Sequence, residues 1–390
     1  MKLDGVRVID LSLFLPGPLA TQMMADHGAR VIKIENPAAP EPGRSTDFFP
    51  WVQGGHTVMY RSTHRGKESV TLNLKDAAAK ALFLKLVADA DVLVESFRPG
   101  VMARLGLDPK TLRGVNPRLV YCSLSAFGQS GPWRDVAAHD TATVAAAGVL
   151  SLSRSPEGGG PALLGVAIAD ILAAQLLFGG IVMALYRRAT TGQGDYIDVS
   201  MFEATLAAEP NIVGPVFAGG RAPEPTSERT LGGNAMFNVY ATKDGGYVAV
   251  GGGEKKFVTN LFEGLGRLDL IAAVCGPAGP AHAPGIQFLR ETFRAKTRAE
   301  WERWFEGRDV PAMPVFDLNE AWASPHVRAR GMRLTDAAGN DHIGIPIKYA
   351  DEPGRVNPAL AAVGEHTDAV LGALGCDAGT IATLRARGAI

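Results

Sequence analysis

The sequence contains few cysteines and no residue spacing that is typical of a metal site. Its 390 residues include only Cys122, Cys275 and Cys376, which are far apart and odd in number. Neither a C-x-x-C pair nor a Cys/His cluster occurs, so no zinc site is predicted. Isolated cysteines of this kind are typical of buried side chains in a reducing compartment. We therefore expect a cytoplasmic protein without a structural metal.

The chain also lacks an excess of one charge. Its 39 lysines and arginines nearly balance 40 aspartates and glutamates, so no field is expected to attract nucleic acid or an acidic membrane. The longest apolar run, residues 168–185, contains Asp170 and Gln175, which favours a buried core helix over a membrane span. The N-terminus leads directly into a predicted strand, so we expect no signal peptide.

Length and periodicity predict two domains of different class. Residues 1–207 alternate strands and helices, which predicts a large α/β domain with a doubly wound, mostly parallel sheet. The G-x-G-x-x-G fingerprint is absent, so a dinucleotide site is not favoured. Residues 208–225 are rich in Pro, Gly and Ala and are predicted to form a linker. A smaller α+β domain is predicted for residues 226–335, followed by a C-terminal segment, residues 336–390.

Two proton-carrying side chains are predicted to lie at helix starts. His139 follows a turn-rich segment, and Asp170 opens a long apolar helix after a glycine-rich loop at residues 157–161. Helix starts collect free backbone N–H groups and the positive end of the helix dipole. An acid/base pair at such positions faces a site suited to a developing anion. Either residue alone is more often structural, His139 as a satisfied histidine and Asp170 as a helix cap.

Basic residues recur at the junctions between predicted strands and loops. Lys75, Arg98 and Arg104 follow strand ends, whereas Arg65 and Lys67 precede a strand. Ligands of α/β sheets bind beyond the carboxyl ends of the strands. The cations therefore either bind a polyphosphate-bearing ligand or form an ordinary solvated surface, and the repeated placement at junctions favours the ligand.

Several longer motifs together resemble the family III CoA-transferases, a family that includes α-methylacyl-CoA racemase. The motifs lie at residues 16–18, 28–35, 97–100, 116–119, 127–132 and 191–194. The resemblance extends over nearly the whole chain. It implies an interlocked homodimer, with the C-terminal segment returning to the large domain.

The resemblance also implies two possible reactions. In the racemases, the aspartate matching Asp170 and the histidine matching His139 carry the proton, and a glutamate matching Glu254 orients the histidine. In the transferases, the same aspartate is a nucleophile that forms an aspartyl-CoA thioester. The motifs Ala138-His139-Asp140 and Gly253-Glu254 favour a racemase acting on 2-methylacyl-CoA thioesters.

Other features keep the alternatives open. The segment Ile171-Leu172-Ala173-Ala174 is more typical of the transferases. A third alternative is a non-catalytic CoA-binding protein, which would need none of His139, Asp170 and Glu254. The resemblance implies no prosthetic group, since coenzyme A enters as part of the substrate. It assigns coenzyme A contacts to Arg65, Lys67, Leu72 (beside the adenine), Lys75, Arg98 and Arg104.

Overall fold

The computed structural model describes residues 1–154, 159–224 and 226–390. Residues 1–149, 164–208 and 325–390 form a large compact unit, and residues 150–163 and 209–324 form a small one. Residues 325–335, which the sequence pattern placed in the small domain, thus belong to the large unit. The expected linker contains a short helix at Gly214–Gly219. Its last residue, Pro225, and the first part of the glycine-rich loop at 157–161 lie outside the described residues.

The described residues form strands and helices throughout both units. The strands are β1 (Arg7–Asp10), β2 (Arg30–Glu35), β3 (Val52–Gln53), β4 (His56–Thr57), β5 (Glu68–Thr71), β6 (Val92–Glu95), β7 (Val120–Ser125), β8 (Tyr196–Ser200), β9 (Phe237–Ala241), β10 (Tyr247–Gly251), β11 (Ala312–Pro314), β12 (Arg333–Thr335) and β13 (Asp341–Ile343). The helices are α1 (Pro16–Asp26), α2 (Val58–His64), α3 (Ala77–Ala88), α4 (Val101–Arg104), α5 (Pro109–Val115), α6 (Asp140–Ala146), α7 (Val149–Leu152), α8 (Ile168–Thr191), α9 (Met201–Leu206), α10 (Gly214–Gly219), α11 (Lys255–Gly264), α12 (Ile271–Val274), α13 (Ala283–Phe293), α14 (Arg298–Phe305), α15 (Leu318–Ala323), α16 (Pro325–Ala329), α17 (Thr367–Ala373) and α18 (Ala378–Ala386).

A six-stranded parallel sheet organises the large unit, which confirms the predicted α/β class. Its strand order is β5-β2-β1-β6-β7-β8. The central strand β1 pairs with both β2 and β6, so that Val8 lies opposite Val31 on one side and Val92 on the other. The direction of strand succession reverses between β1 and β6. In open α/β sheets the crevice beyond the carboxyl ends of such a pair is the usual ligand site.

Local sequence signals explain several element boundaries in the large unit. Asp76 caps α3 by accepting hydrogen bonds from the backbone N–H groups of Ala78 and Ala79, at 2.9 and 3.0 Å. Gly192 ends α8 in the left-handed region, with φ of +72°. The edge strand β8 was not predicted, because Asp195 and Asp198 interrupt its apolar pattern. Its parallel pairing with β7 provides the missing stabilisation.

The small unit contains an antiparallel sheet with the order β11-β10-β9. Strands β9 and β10 form a hairpin, since they pair on either side of the turn at residues 242–246. An aromatic cluster forms its core: the Phe293 ring lies 5.1 Å from that of Tyr240 and 4.6 Å from that of Trp301. The buried Trp301 indole donates a hydrogen bond to the Phe293 carbonyl at 2.8 Å. The buried indole N–H of Trp301 is therefore not left without an acceptor.

Helix α8 crosses the large unit and packs against α1. Its buried side is lined by small and aliphatic residues such as Ala169, Ala173 and Leu177. Large apolar side chains on other parts of its surface, including Met183 and Tyr186, are exposed. Among the described helices it is the one long and apolar enough to cross a membrane, a test that core helices of soluble proteins also pass.

Candidate active site

A cavity of about 830 Å³ in the large unit brings the predicted acid/base pair together. Its walls include the loops that follow β1, β6 and β7, and the first turns of α6 and α8. His139, Asp170 and Arg98 all line it. The cavity therefore lies beyond the carboxyl ends of β1 and β6, where the strand order reverses and where the topology favours a ligand site.

His139 is the N-cap residue of α6, as the sequence predicted. Its backbone is extended and its side chain makes no capping hydrogen bond, so the imidazole remains available to the cavity. The ring of Phe14 meets the His139 ring at an angle of 80°, with the two centroids 5.5 Å apart. An aromatic contact of this kind restricts the orientation of the imidazole without using either of its nitrogens.

Asp170 lies in the first turn of α8, partly buried. Burial raises the pKa of its carboxyl group to about 7, and the negative charge of Asp140 contributes to the rise. A carboxyl group with this pKa is present both as acid and as base near neutral pH. Such a group suits reversible proton transfer.

The start of α8 differs from the expectation that its N–H groups face a bound anion. The Asp140 carboxylate Oδ1 accepts hydrogen bonds from the backbone N–H groups of Ala169, at 2.7 Å, and Asp170, at 3.4 Å. For these two N–H groups the prediction is wrong, because a side chain from the start of α6 occupies them. Asp140 thus caps α8 from a distant position and joins the starts of the two helices.

Phe14 has an unusual backbone conformation. Its φ of +64° places it in the left-handed region, which costs a residue with a side chain about 1–2 kcal/mol. The backbone N–H groups of Phe14 and Leu13 donate to Glu41 Oε1 at 3.0 Å and to Ser96 Oγ at 2.9 Å. Conformations of this kind persist where surrounding contacts fix them, and they cluster at functional sites.

Two further arginines lie close to the loop that contributes Arg98. A Cβ atom at Gly100 would lie 3.2 Å from a guanidinium nitrogen of Arg104 and 3.5 Å from one of Arg134. Arg134 also lines the cavity. Arg134 was not predicted from the sequence, although it lies two residues after the motif at residues 127–132. Arg98 and Arg134 thus line the cavity, and Arg104 lies beside the same loop at Gly100.

The other predicted cations have different surroundings. Arg65 is buried and pairs with Asp26 at 2.7 Å. Lys67 is buried as well and donates to Asp10, Thr21 and the Pro18 carbonyl.

Burial lowers the pKa of Lys67 to about 8, against the opposing effect of the Asp10 carboxylate. Both Arg65 and Lys67 are engaged within the protein, and their contact with coenzyme A stays a prediction. The same holds for Leu72, which is buried, and for Lys75, which is exposed.

Glu254 belongs to the small unit, where it is the N-cap residue of α11 and makes no capping hydrogen bond through its side chain. It lines a cleft of about 380 Å³ together with Arg229 and Asn234. The guanidinium of Arg229 lies 4.3 Å from the centre of the Phe237 ring. The carboxylate of Glu254 is therefore exposed in a polar cleft of its own unit, and its predicted role in orienting a histidine stays a prediction.

Comparison with known proteins identifies the fold and the family. The model of CoA-transferase family III matches residues 3–367. A structure of a CAIB/BAIF family protein from Brucella suis superposes with a TM-score of 0.81 at 28% identity, covering 95% of this chain and 99% of that one.

Relatives with different reactions match at similar identity. An acetyl-CoA:oxalate CoA-transferase from Acetobacter aceti is 36% identical over 90% of each chain. An alpha-methylacyl-CoA racemase from Mus musculus is 36% identical over 86% of this chain and 83% of its own. The family match over most of the chain, together with the cavity at the reversal of strand order, shows that this protein belongs to CoA-transferase family III.

Proposed function

We propose that the protein is an acyl-CoA racemase or epimerase that inverts the α-carbon of 2-methylacyl-CoA thioesters. The observation that carries the proposal is that His139 and Asp170 line one cavity while the pKa of Asp170 is raised to about 7. Inversion needs one group to accept a proton on one face and another to donate on the opposite face. A histidine and a carboxyl group of raised pKa suit both roles near neutral pH.

The proposed reaction conserves its atoms and charges. One of the two side chains removes the proton from the carbon next to the thioester, and the electron pair of that C–H bond forms an enolate. The other side chain then donates its own proton to the opposite face of the carbon. The reverse reaction exchanges the roles of His139 and Asp170. No prosthetic group is required, and coenzyme A enters as part of the substrate.

A second candidate is transfer of coenzyme A between carboxylic acids. The segment Ile171-Leu172-Ala173-Ala174 after Asp170 favours this reaction, as does the similarity to an acetyl-CoA:oxalate CoA-transferase. In that reaction the Asp170 carboxylate attacks the thioester and displaces coenzyme A, giving a mixed anhydride. The released thiolate then attacks the Asp170 carbonyl, which frees the acyl group as its carboxylate and leaves coenzyme A bound to Asp170. The acceptor carboxylate next displaces the thiolate from Asp170, and the thiolate attacks the acceptor carbonyl of the new anhydride, which gives the product thioester and restores the Asp170 carboxylate.

One incubation in D₂O separates the two candidates. The protein is mixed with a 2-methylacyl-CoA thioester, without and with a carboxylic acid acceptor, and sampled by mass spectrometry. We expect deuterium at C2 of the thioester and no coenzyme A adduct on the protein. A coenzyme A adduct at Asp170 without C2 exchange would replace the racemase by the transferase. Neither exchange nor adduct, with retained thioester binding, would indicate the non-catalytic alternative.

The two arginines that line the cavity, Arg98 and Arg134, and the neighbouring Arg104 are proposed to bind the phosphates of coenzyme A. Loss of one charge-assisted contact costs about 1.5–3 kcal/mol, so Arg98→Ala and Arg104→Ala are each expected to weaken thioester binding roughly 10- to 100-fold. Titration calorimetry with a non-reactive thioether analogue measures this directly. Lys110→Ala, which removes an exposed cation on α5, serves as the control. Unchanged affinity in both arginine variants would refute the assignment.

We also propose that the chain forms a homodimer in the cytoplasm. The exposed apolar side chains of α8, such as Met183 and Tyr186, support this proposal because a partner would remove them from water. An active monomer in sedimentation at micromolar concentration would contradict it. No nucleic acid or membrane partner is proposed, and the cytoplasmic location stays a prediction.

A further inference from the structure

Phe14 connects the cavity with a buried ionic cluster. Its ring contacts His139 on one side and lies edge-on to Phe48 on another, with centroids 6.2 Å apart. Within the described parts of the chain, Phe14 is also the one residue with a positive φ that is not a glycine. Residues other than glycine rarely adopt this backbone conformation. Contacts from other residues must therefore hold the Phe14 backbone, and with it the ring, in place.

Glu41 supplies that contact. Its Oε1 atom accepts hydrogen bonds from the backbone N–H groups of Phe14 and Gly43, each at 3.0 Å. Its carboxylate is almost completely buried, with 2% of the residue exposed. One buried oxygen atom thereby joins the Phe14 loop to a loop that comes nearly thirty residues later.

Lys33 fixes the other end of this carboxylate. Its ammonium group lies 3.0 Å from Glu41 Oε2 and also donates to the backbone carbonyl of Ser12. Lys33 is 1% exposed and belongs to β2, a central strand of the sheet. Asp10 and His64 lie farther from the pair, at 3.9 Å from the lysine and 3.7 Å from the carboxylate. The Phe14 loop is therefore anchored to the rigid sheet through Glu41.

We propose that Glu41 is a positioning residue of the cavity, which sets the orientation of His139 through the backbone and ring of Phe14. The inference rests on the proposed acid/base role of His139. Glu41 does not line the cavity itself, so its effect on the reaction must pass through Phe14. Replacing Glu41 should disturb the histidine and leave Asp170 in place, because α8 is held separately by Asp140.

The first test measures the histidine itself and requires no catalysis. In a protein labelled at histidine, the Cε1–H NMR signal of His139 is the one missing from a His139→Gln variant. We expect Glu41→Ala to move this signal about as far as Phe14→Leu does, because both remove the ring from its position. Glu41→Gln keeps an acceptor oxygen for the Phe14 N–H and should move it less. An unchanged signal in Glu41→Ala would overturn the proposal.

The second test uses the two enantiomers of the substrate. One enantiomer presents its α-proton to His139 and the other presents it to Asp170. The rate at which deuterium from D₂O replaces the α-proton in the recovered starting enantiomer therefore reports on one of the two residues at a time. Displacement of a catalytic group by about 1 Å costs roughly 100-fold. We expect Glu41→Ala to slow the exchange that depends on His139 by roughly 10- to 100-fold. The exchange that depends on Asp170 should change by less than about twofold. Glu41→Gln should restore part of the loss.

A matched control tests for simple destabilisation. Asp91→Asn weakens a partly buried ion pair with Arg188 at the amino end of β6, where the two charged groups are 2.7 Å apart. We expect this variant to unfold earlier on heating but to leave the ratio of the two exchange rates unchanged. Equal losses of both rates in Glu41→Ala would overturn the positioning role. Absence of exchange in the parent protein would instead refute the racemase, and the NMR measurement would still decide on Glu41.

Discussion

Replacing Asp170 by asparagine is expected to lower racemisation by roughly 10²–10⁴-fold, the usual contribution of a general acid/base group. Asparagine keeps the size of the side chain but can neither take up nor release a proton at neutral pH. Exchange should survive only in the enantiomer whose α-proton faces His139. Racemisation followed by chiral chromatography, with C2 deuterium measured in the same samples, checks both results.

Asp198→Asn is the control for this substitution. Burial also raises the pKa of the Asp198 carboxyl group, which accepts a hydrogen bond from the Gln129 N–H at 2.9 Å. Asp198 does not line the cavity, and asparagine retains an acceptor oxygen. We expect its racemisation to stay within about twofold of the parent. A similar loss in both variants would show that a general electrostatic change, and not proton transfer at Asp170, causes the effect.

The raised pKa of Asp170 also predicts the pH dependence. Racemisation needs one proton shared between Asp170 and His139, so kcat/KM should fall on both sides of a maximum, with one limb near pH 7. The profile must be the same in both directions, because the equilibrium between the two configurations does not change with pH. A transferase would instead need the ionised carboxylate, and its activity would rise with pH through about 7 to a plateau. A plateau above pH 7 would therefore contradict the racemase.

Replacing His139 by alanine is expected to have the second large effect. As a racemase, the protein should lose roughly 10²–10⁴-fold in racemisation, and exchange should survive only in the enantiomer whose α-proton faces Asp170. The surviving enantiomer is thus opposite to that in Asp170→Asn. This reversal follows from the two groups acting on opposite faces, and destabilisation of the fold cannot produce it.

His56→Ala controls for loss of an imidazole elsewhere in the large unit, since His56 stacks on Tyr60 outside the cavity. Its exchange rates should match those of the parent. If His139→Ala racemises the substrate at the parental rate, the histidine only shapes the cavity, as the transferase alternative requires. Survival of exchange in both enantiomers would likewise exclude a face-specific role for His139.

Much of the fold could be predicted because its signals are local. The apolar run of β1, the left-handed glycine that ends α8 and the capping aspartate of α3 each act within a few residues of their own position. The same is true of the hairpin in the small unit. Strand β8 was missed because its pairing with β7, and not its own pattern, stabilises it. Helix α2 likewise has no strong periodic pattern in the sequence.

The candidate site divides in the same way. The sequence by itself determined that His139 and Asp170 begin helices, and its motifs identified the family. Only the tertiary structure decided that both line one cavity and that Arg134 joins Arg98 there. It also decided that Asp140 accepts hydrogen bonds from two N–H groups in the first turn of α8. Likewise, the sequence favours Lys67 as a cation that contacts a polyphosphate-bearing ligand, whereas in the structure it is buried against Asp10. The physical reason is that burial, ion pairing and pKa depend on neighbours brought together by the crossovers of the sheet, and spacing along the chain does not encode them.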